Sequence, residues 1–279
     1  MVSGAIKYML ITIDDYFDLD KIIDSGQTFR ACKIDDNLYR FISMENVLYI
    51  SKDSSDKSCY NVSCSSDEWE NIWYNYFDLD RNYKSIKPEE EFTKTCYEYS
   101  KGIRILKQEP FEMLISFIIS QRKSIPAIRT SIEEICKRFG KPYHTSHNED
   151  IYLFPTPKQL AKDNSNELSQ CKLGYRLPYI LDAVTTISNN PHFLSDGYNM
   201  SDEELLEHLM SIKGVGIKVA NCIALFAYNR LSLAPIDTWI NKIINSKYNG
   251  ISPFDNYGDN AGIIQQYMFY YAITHKKTI

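Results

Sequence analysis

The sequence predicts an α+β chain: a small antiparallel sheet domain over residues 1–90, then a larger all-helical domain over residues 91–279. Three observations predict it. Leu38-Tyr39-Arg40-Phe41-Ile42-Ser43 and Val47-Leu48-Tyr49-Ile50-Ser51 are β-prone runs flanking the short polar corner Met44-Glu45-Asn46, a hairpin signature. At Glu89-Glu90-Glu91 the texture changes, and the chain beyond reads as helices joined by loops with few further strand signals. Near the C-terminal end, Ser201 to Asp237 reads as two helices joined by a glycine hairpin.

Taken in order, residues 1 to about 65 read mainly as strands. Asp24-Ser25-Gly26-Gln27-Thr28-Phe29-Arg30 reads as a turn leading into a strand, with Gly26 at the bend. Trp69, Ile72, Trp73, Tyr76 and Phe77 recur at helical spacing and form a core stripe. Past the boundary, Gly102 to Glu112 leads into a helix from Met113 to Ser120, followed by Gln121-Arg122-Lys123-Ser124. Ser201 with Glu204 makes a capping box, so a helix starts there with Leu205, Leu206, Leu209, Met210 and Ile212 on its buried face. Lys213-Gly214-Val215-Gly216 breaks it, and a second helix runs from Ile217 through Ala227. The glycines permit a turn with φ above zero and leave backbone N–H groups bare at a helix N-terminus, where a phosphate can sit. Asp237 follows Pro235 and caps a helix from Thr238 to Ile244, which fixes its carboxylate. The last helix runs from Ala261 to Ile273, with Gln265 and Phe269 one turn apart on one face.

Composition bounds the function. A chain of 279 residues, 44% hydrophobic, can bury a full core. Seven cysteines, at 32, 59, 64, 96, 136, 171 and 222, show no metal-ligand spacing and read as free thiols in a reducing cytoplasm. No signal peptide and no apolar run of membrane-spanning length is seen, so a cytoplasmic protein is expected, at the nucleoid if prokaryotic, with no membrane partner. His144 and His147 lie in a polar loop and read as surface residues. The net charge of −5 argues against coating nucleic acid by bulk attraction, while leaving room for a local site built from backbone amides and a few cations.

Lys218 and Cys222 stand four residues apart at the start of the second hairpin helix, next to the phosphate clamp, so an amine, a carboxylate at Asp237 and an anion site converge. Singly each has a plainer reading: a solvated lysine, a core cysteine, a helix cap. Jointly they resemble the helix-hairpin-helix, Gly/Pro/Asp superfamily of DNA glycosylases, and the lysine matches its bifunctional branch. Ser25-Gly26-Gln27 with Phe29-Arg30, and Arg104-Ile105-Leu106-Lys107-Gln108-Glu109-Pro110-Phe111-Glu112, resemble the 8-oxoguanine DNA glycosylases within it. The resemblance runs from about Asp24 to Phe269, in family order.

That resemblance implies a glycosylase and abasic-site lyase acting on duplex DNA that contains 8-oxoguanine, expected to work as a monomer without cofactor or metal. Lys218 and Asp237 are the implied catalytic pair. The Gly26 carbonyl accepts the N7 hydrogen that the lesion has and guanine lacks, a distinction of roughly 1–3 kcal/mol at a buried site. Gln265 bonds the Watson–Crick edge, and Phe269 and Cys222 lie on opposite faces of the base. Gly214, Val215 and Gly216 hold the DNA backbone, Arg122 and Lys123 fill the duplex gap or hold phosphates, Tyr175 enters the stack and Arg176 contacts the orphaned base. Two positions depart from the pattern. Ala127 stands where the family carries an arginine that reads the widowed cytosine, so strict cytosine preference is not implied, and Trp239 replaces a phosphate-holding histidine. No cysteine follows Cys222, so the iron–sulfur cluster of endonuclease III relatives is not expected. Attack requires a neutral Lys218; burial and the helix N-terminus favour that form, whereas a Cys222 thiolate would oppose it. A monofunctional alkylpurine glycosylase and a non-catalytic helix-hairpin-helix DNA-binding protein are the two alternatives.

Overall fold

In Leu38–Ser43 (β3) and Asn46–Lys52 (β4), Tyr39 pairs with Ile50 and Phe41 with Leu48, so these four buried side chains share one face and set the sheet, while Ile42 and Tyr49 are buried on the other. In the computed structural model, which describes residues 7–162 and 166–276, the five strands lie in the order β1-β5-β4-β3-β2, all antiparallel, with β1 at Met9–Thr12, β2 at Cys32–Lys33 and β5 at Cys59–Val62. The β3–β4 turn is shorter than the sequence suggests: Ser43 pairs with Asn46, so only Met44 and Glu45 form the corner. A helix, α1 (Leu19–Asp24), also interrupts the strand-rich stretch, capped by Asp18, which accepts from the Lys21 N–H at 3.1 Å. Six residues are too few to display a helical period, which is why the sequence pattern does not reveal it.

The sheet closes on the stripe expected as core. Ser66–Glu68, Trp69–Trp73 and Tyr74–Tyr76 follow one another as a helix whose middle turn is π-helical, and Phe77 packs edge-on against Phe41 with ring centroids 5.0 Å apart. Trp69, Trp73, Tyr76 and Phe77 are buried, and Leu106 from the following helical part completes the same cluster.

The longer helices then follow: α2 (Glu91–Ser100), α3 (Pro110–Ser120), α4 (Ile125–Phe139), α5 (Leu177–Asn189), α6 (Asp202–Met210), α7 (Ile217–Tyr228), α8 (Thr238–Lys247) and α9 (Ala261–Thr274). Helix α3 starts three residues earlier than expected, since Pro110 suits the first helical turn and the Glu109 carboxylate caps the Glu112 N–H at 2.7 Å. The Ser201–Glu204 capping box forms as read, but Met210 is 36% exposed while Leu205, Leu209 and Ile212 are buried. A short hairpin, Pro142–His144 (β6) with Asp150–Tyr152 (β7), departs from the all-helical reading. Its three-residue strands give no period to detect, and the sheet holds it from outside: Tyr49 Oη donates to Thr145 Oγ1 at 2.7 Å and Arg40 pairs with Glu149 at 2.8 Å. His147 is therefore half-buried, stacked on Tyr49, whereas His144 is exposed as expected.

Arg104 links the two parts. It is fully buried, and its Nε donates to the Phe77 carbonyl at 2.9 Å, Nη1 to the Asp15 carboxylate at 3.1 Å, and Nη2 to the carbonyls of Arg81 (2.8 Å) and Asp78. The guanidinium also lies over the Tyr83 ring. Burial opposes ionisation of Asp15, yet the N–H groups of Tyr83 and Tyr16, with Arg104, hold its carboxyl below the ordinary value. Arg104→Leu leaves these acceptors unpaired, so unfolding in urea is expected to show a loss of about 3–5 kcal/mol. Among the described residues, no helix is long and apolar enough to cross a membrane.

Candidate active site

The glycine hairpin forms between α6 and α7. Gly214 has φ 84°, and a Cβ there would fall 2.3 Å from Cγ of Tyr179, so conformation and packing both require glycine. Gly216 departs from the expectation of positive φ: it sits at −95° as the N-cap of α7, with open space where a Cβ would stand. The Val215 N–H is not bare either. It donates to the Ile212 carbonyl at 3.1 Å, and the Val215 side chain is buried. The amides left for an anion are those of Gly216 and of the first turn of α7 that follows it.

In the first turn of α7, Lys218 faces a cavity of about 60 Å³ lined by Gly26, Phe117, Lys218, Cys222, Phe226, Pro235, Asp237, Gln265, Gln266 and Phe269. All six residues expected to perform chemistry or hold the base therefore meet at one place, from four separate stretches of chain. The Lys218 amine stands over the Phe117 ring at 5.6 Å. Asp237 caps α8 as read, accepting the Ile240 N–H at 2.8 Å, and α8 continues to Lys247. Burial raises the Asp237 carboxyl above its ordinary value, while the Ile240 N–H and the Lys218 charge pull it back down. Burial likewise pushes the Cys222 thiol up against the pull of Lys218. Burial thus favours the thiol form of Cys222 over the thiolate.

Gly26 is presented by a loop tied down on every side. The Gln27 side chain accepts the Leu106 N–H at 2.8 Å and donates to the Arg104 carbonyl at 2.9 Å, Gln108 donates to the Gln27 carbonyl at 2.9 Å, and Gln266 donates to the Ser25 carbonyl at 2.5 Å. The two stretches with the closest sequence resemblance are thus one hydrogen-bonded unit. Gly26 has φ 78°, and a Cβ on it would stand 3.0 Å from Cε1 of Phe269. Among the described residues nothing donates to the Gly26 carbonyl, and Oε1 of the buried Gln265 has no partner. Two acceptors in one cavity are therefore unmet, an arrangement suited to a ligand rich in N–H groups.

The DNA-side residues divide. Tyr175 is 53% exposed and Arg122 is exposed, as a wedge and a gap-filler require. Arg176, expected to contact an orphaned base, is instead buried: Nε donates to the Gln121 carbonyl at 2.9 Å, Nη2 to that same carbonyl, and Nη1 to the Leu173 carbonyl at 3.2 Å. Lys123 is likewise engaged, with Ser131 Oγ at 2.5 Å and the Lys172 carbonyl at 2.8 Å. Trp239 is half-buried against the core, with the Lys242 amine over its ring. Phe117, Phe226 and Gln266 escaped sequence reasoning because they lie in apolar or unremarkable runs, whereas Gln121 gave one weak signal, a polar residue directly after an apolar helix.

The comparisons with known proteins agree with this geometry. The family described as 8-oxoguanine DNA glycosylase, N-terminal domain, matches residues 9–114. A probable N-glycosylase/DNA lyase of Methanothermobacter thermautotrophicus is 30% identical over 226 residues, 70% of this chain and 71% of that protein. Among solved structures, MBOgg1 in complex with a low-affinity DNA ligand superposes with TM-score 0.90 at 30% identity, covering 97% of this chain and all of the other. The Clostridium acetobutylicum 8-oxoguanine glycosylase/lyase, in complex with double-stranded DNA containing cytosine opposite 8-oxoguanine, gives TM-score 0.88 at 33% identity over 96% of this chain and 98% of its own. With the lysine, the capping aspartate and the Gly26 loop meeting on one cavity in a fold shared along nearly its whole length, the chain belongs to the 8-oxoguanine DNA glycosylase family.

Proposed function

We propose that this protein excises 8-oxoguanine from duplex DNA through a Schiff base on Lys218 and then nicks the abasic site by β-elimination. The observation that carries the reading is the convergence of Lys218 and Asp237 with Gly26, Cys222, Gln265 and Phe269 on one cavity. The neutral Lys218 amine attacks C1′ of the extruded nucleotide. The C1′–N9 bond breaks, its electron pair leaves with the base, and the base takes up a proton. Loss of the amine proton and opening of the sugar ring at O4′ give the imine. Removal of a C2′ proton then expels the 3′ phosphate, which cuts the strand, and water hydrolyses the imine to free Lys218. Asp237 stabilises the positive charge that develops on the sugar and moves protons in the later steps.

The base is selected by what it can donate. The unmet Gly26 carbonyl accepts the N7 hydrogen of 8-oxoguanine; guanine would set its N7 lone pair against that carbonyl, a mismatch of roughly 1–3 kcal/mol. The unmet Gln265 oxygen accepts from N–H groups on the Watson–Crick edge. The cavity, about 60 Å³, is smaller than a purine, so Phe269 swings off Gly26 to admit the base and stack on it. The neutral Cys222 thiol, more compatible with a base face than a thiolate, covers the other side. The first amides of α7 hold the DNA backbone, and Tyr175 fills the stack.

Incubation with a duplex bearing a single 8-oxoguanine tests the reading. Free base and a nicked strand are both expected, with little release from an undamaged duplex. Release of a methylated purine with no nick would mark the monofunctional alternative, and DNA binding with no base release would mark a binding module.

A further inference from the structure

We infer that Gln266 holds the Gly26 carbonyl in its reading position and thereby sets how strongly 8-oxoguanine is preferred over guanine. The inference rests on the glycosylase reading above and deepens it, because Gly26 is the group that tells the two bases apart. Gln266 is a positioning residue: it acts on the base through Ser25 and Gly26.

Gly26 lies just past the end of α1, with Ser25 at φ −73° and ψ −7° and Gly26 itself at φ 78°. A left-handed residue in that place is ordinarily fixed by amides that donate back to the last carbonyls of the helix. Here, among the described residues, neither the Gly26 nor the Gln27 N–H donates to a backbone carbonyl. Glycine adopts positive and negative φ about equally readily, so residue type alone does not hold the conformation. A contact from another element does. The Ser25 carbonyl, in a fully buried residue, accepts from Nε2 of the equally buried Gln266 at 2.5 Å. A carbonyl only accepts, so the amide nitrogen of Gln266 must face it.

Two rotations could carry the Gly26 carbonyl out of the cavity. A flip of the Gly26–Gln27 peptide unit would turn φ of Gln27 positive, a region that a residue with a side chain disfavours. Gln27 is also anchored: its side chain bonds Ser25 Oγ at 2.9 Å besides the Arg104 carbonyl and the Leu106 N–H, and its carbonyl accepts from Gln108. Rotation about φ of Gly26 meets no such barrier, but with Gln27 fixed it must swing the Ser25 carbonyl. The Gln266 bond closes that second route.

Helix α9 thereby controls both edges of the base. Gln265 presents its unmet Oε1 directly, and the next residue along the helix sets the Gly26 carbonyl by way of Ser25. Without the Gln266 donor the Ser25 carbonyl is a buried acceptor with no partner, and it gains one only by turning, which takes Gly26 with it.

Affinity for three duplexes tests the assignment. One carries a 2′-fluorinated, uncleavable 8-oxoguanine nucleotide, one the 2′-fluorinated guanine nucleotide in the same place, and one a tetrahydrofuran abasic site, which has no base to read. The wild type is expected to bind the 8-oxoguanine duplex roughly tenfold or more tighter than the guanine duplex. Gln266→Met, of similar length but without a donor, is expected to bring that ratio within about threefold by weakening the lesion duplex, with a change of less than about threefold on the tetrahydrofuran duplex. Gln266→Asn, whose amide falls one methylene short of the Ser25 carbonyl, is expected to lose the ratio equally. Variants that keep the wild-type ratio, or that weaken all three duplexes in step, overturn the inference and leave the glycosylase reading in place. A wild type that binds the two base duplexes alike overturns it together with the role given to the Gly26 carbonyl. A protein that shows the ratio and its loss, yet releases no base from a cleavable 8-oxoguanine duplex, sinks the glycosylase reading while the assignment of Gln266 stands.

Discussion

Replacing Lys218 by glutamine is expected to abolish base release, strand nicking and borohydride trapping together, a fall on the order of 10⁴-fold or more, as when a group that acts as nucleophile is removed from a working site. Glutamine retains much of the side chain that packs over Phe117, and the backbone amides at the start of α7 are untouched, so affinity for lesion DNA is expected to stay within a few-fold of wild type. Gel-shift affinity and single-turnover excision, measured on the same preparation, separate the two. Loss of binding in step with loss of chemistry would mean that Lys218 serves as a phosphate contact and not as the nucleophile.

Asp237→Asn is the second large effect. Excision is expected to fall by about 10²–10⁴-fold, since asparagine can neither hold a negative charge beside the sugar nor exchange a proton. The helix should not suffer, because asparagine caps as well as aspartate and can accept the same Ile240 N–H. Stability should even favour the variant. A carboxyl raised by burial is bound to its proton more tightly in the folded state than in the unfolded one, so the wild type loses stability as pH rises from the ordinary carboxylate range through that raised value. The variant has no such loss and is expected to be at least as stable as wild type at pH 7 by urea unfolding. By the same shift, wild-type excision should decline on the acid side at a pH above that of an exposed carboxylate. A variant both inactive and clearly less stable would return Asp237 to the role of a helix cap.

Why so much of the site was legible is local. Lys218 and Cys222 are one helical turn apart, as are Gln265 and Phe269, and the Asp237 cap follows from its place after Pro235. Such spacings fix a face without knowledge of the partner. The sheet hairpin was legible for the same reason, because strand alternation is a local signal. What the sequence withheld is non-local. The committed state of Arg176 depends on a carbonyl 55 residues away, Gln27 is clamped by Arg104 77 residues on, and nothing near Arg104 announces that it bridges the two parts. The β6–β7 hairpin is likewise held by Tyr49 and Arg40 of the sheet more than by its own composition. Val215 illustrates the remaining gap: the hairpin was identified, but whether its amide stays free is decided by the turn that follows the preceding helix, through Ile212.

The most direct test of the central claim is to locate the covalent bond. Protein incubated with an 8-oxoguanine duplex in the presence of borohydride, digested and mapped by mass spectrometry, is expected to yield one modified peptide, with the reduced sugar adduct on Nζ of Lys218. An adduct on another amine, such as that of the exposed Lys213 in the hairpin, would contradict the account.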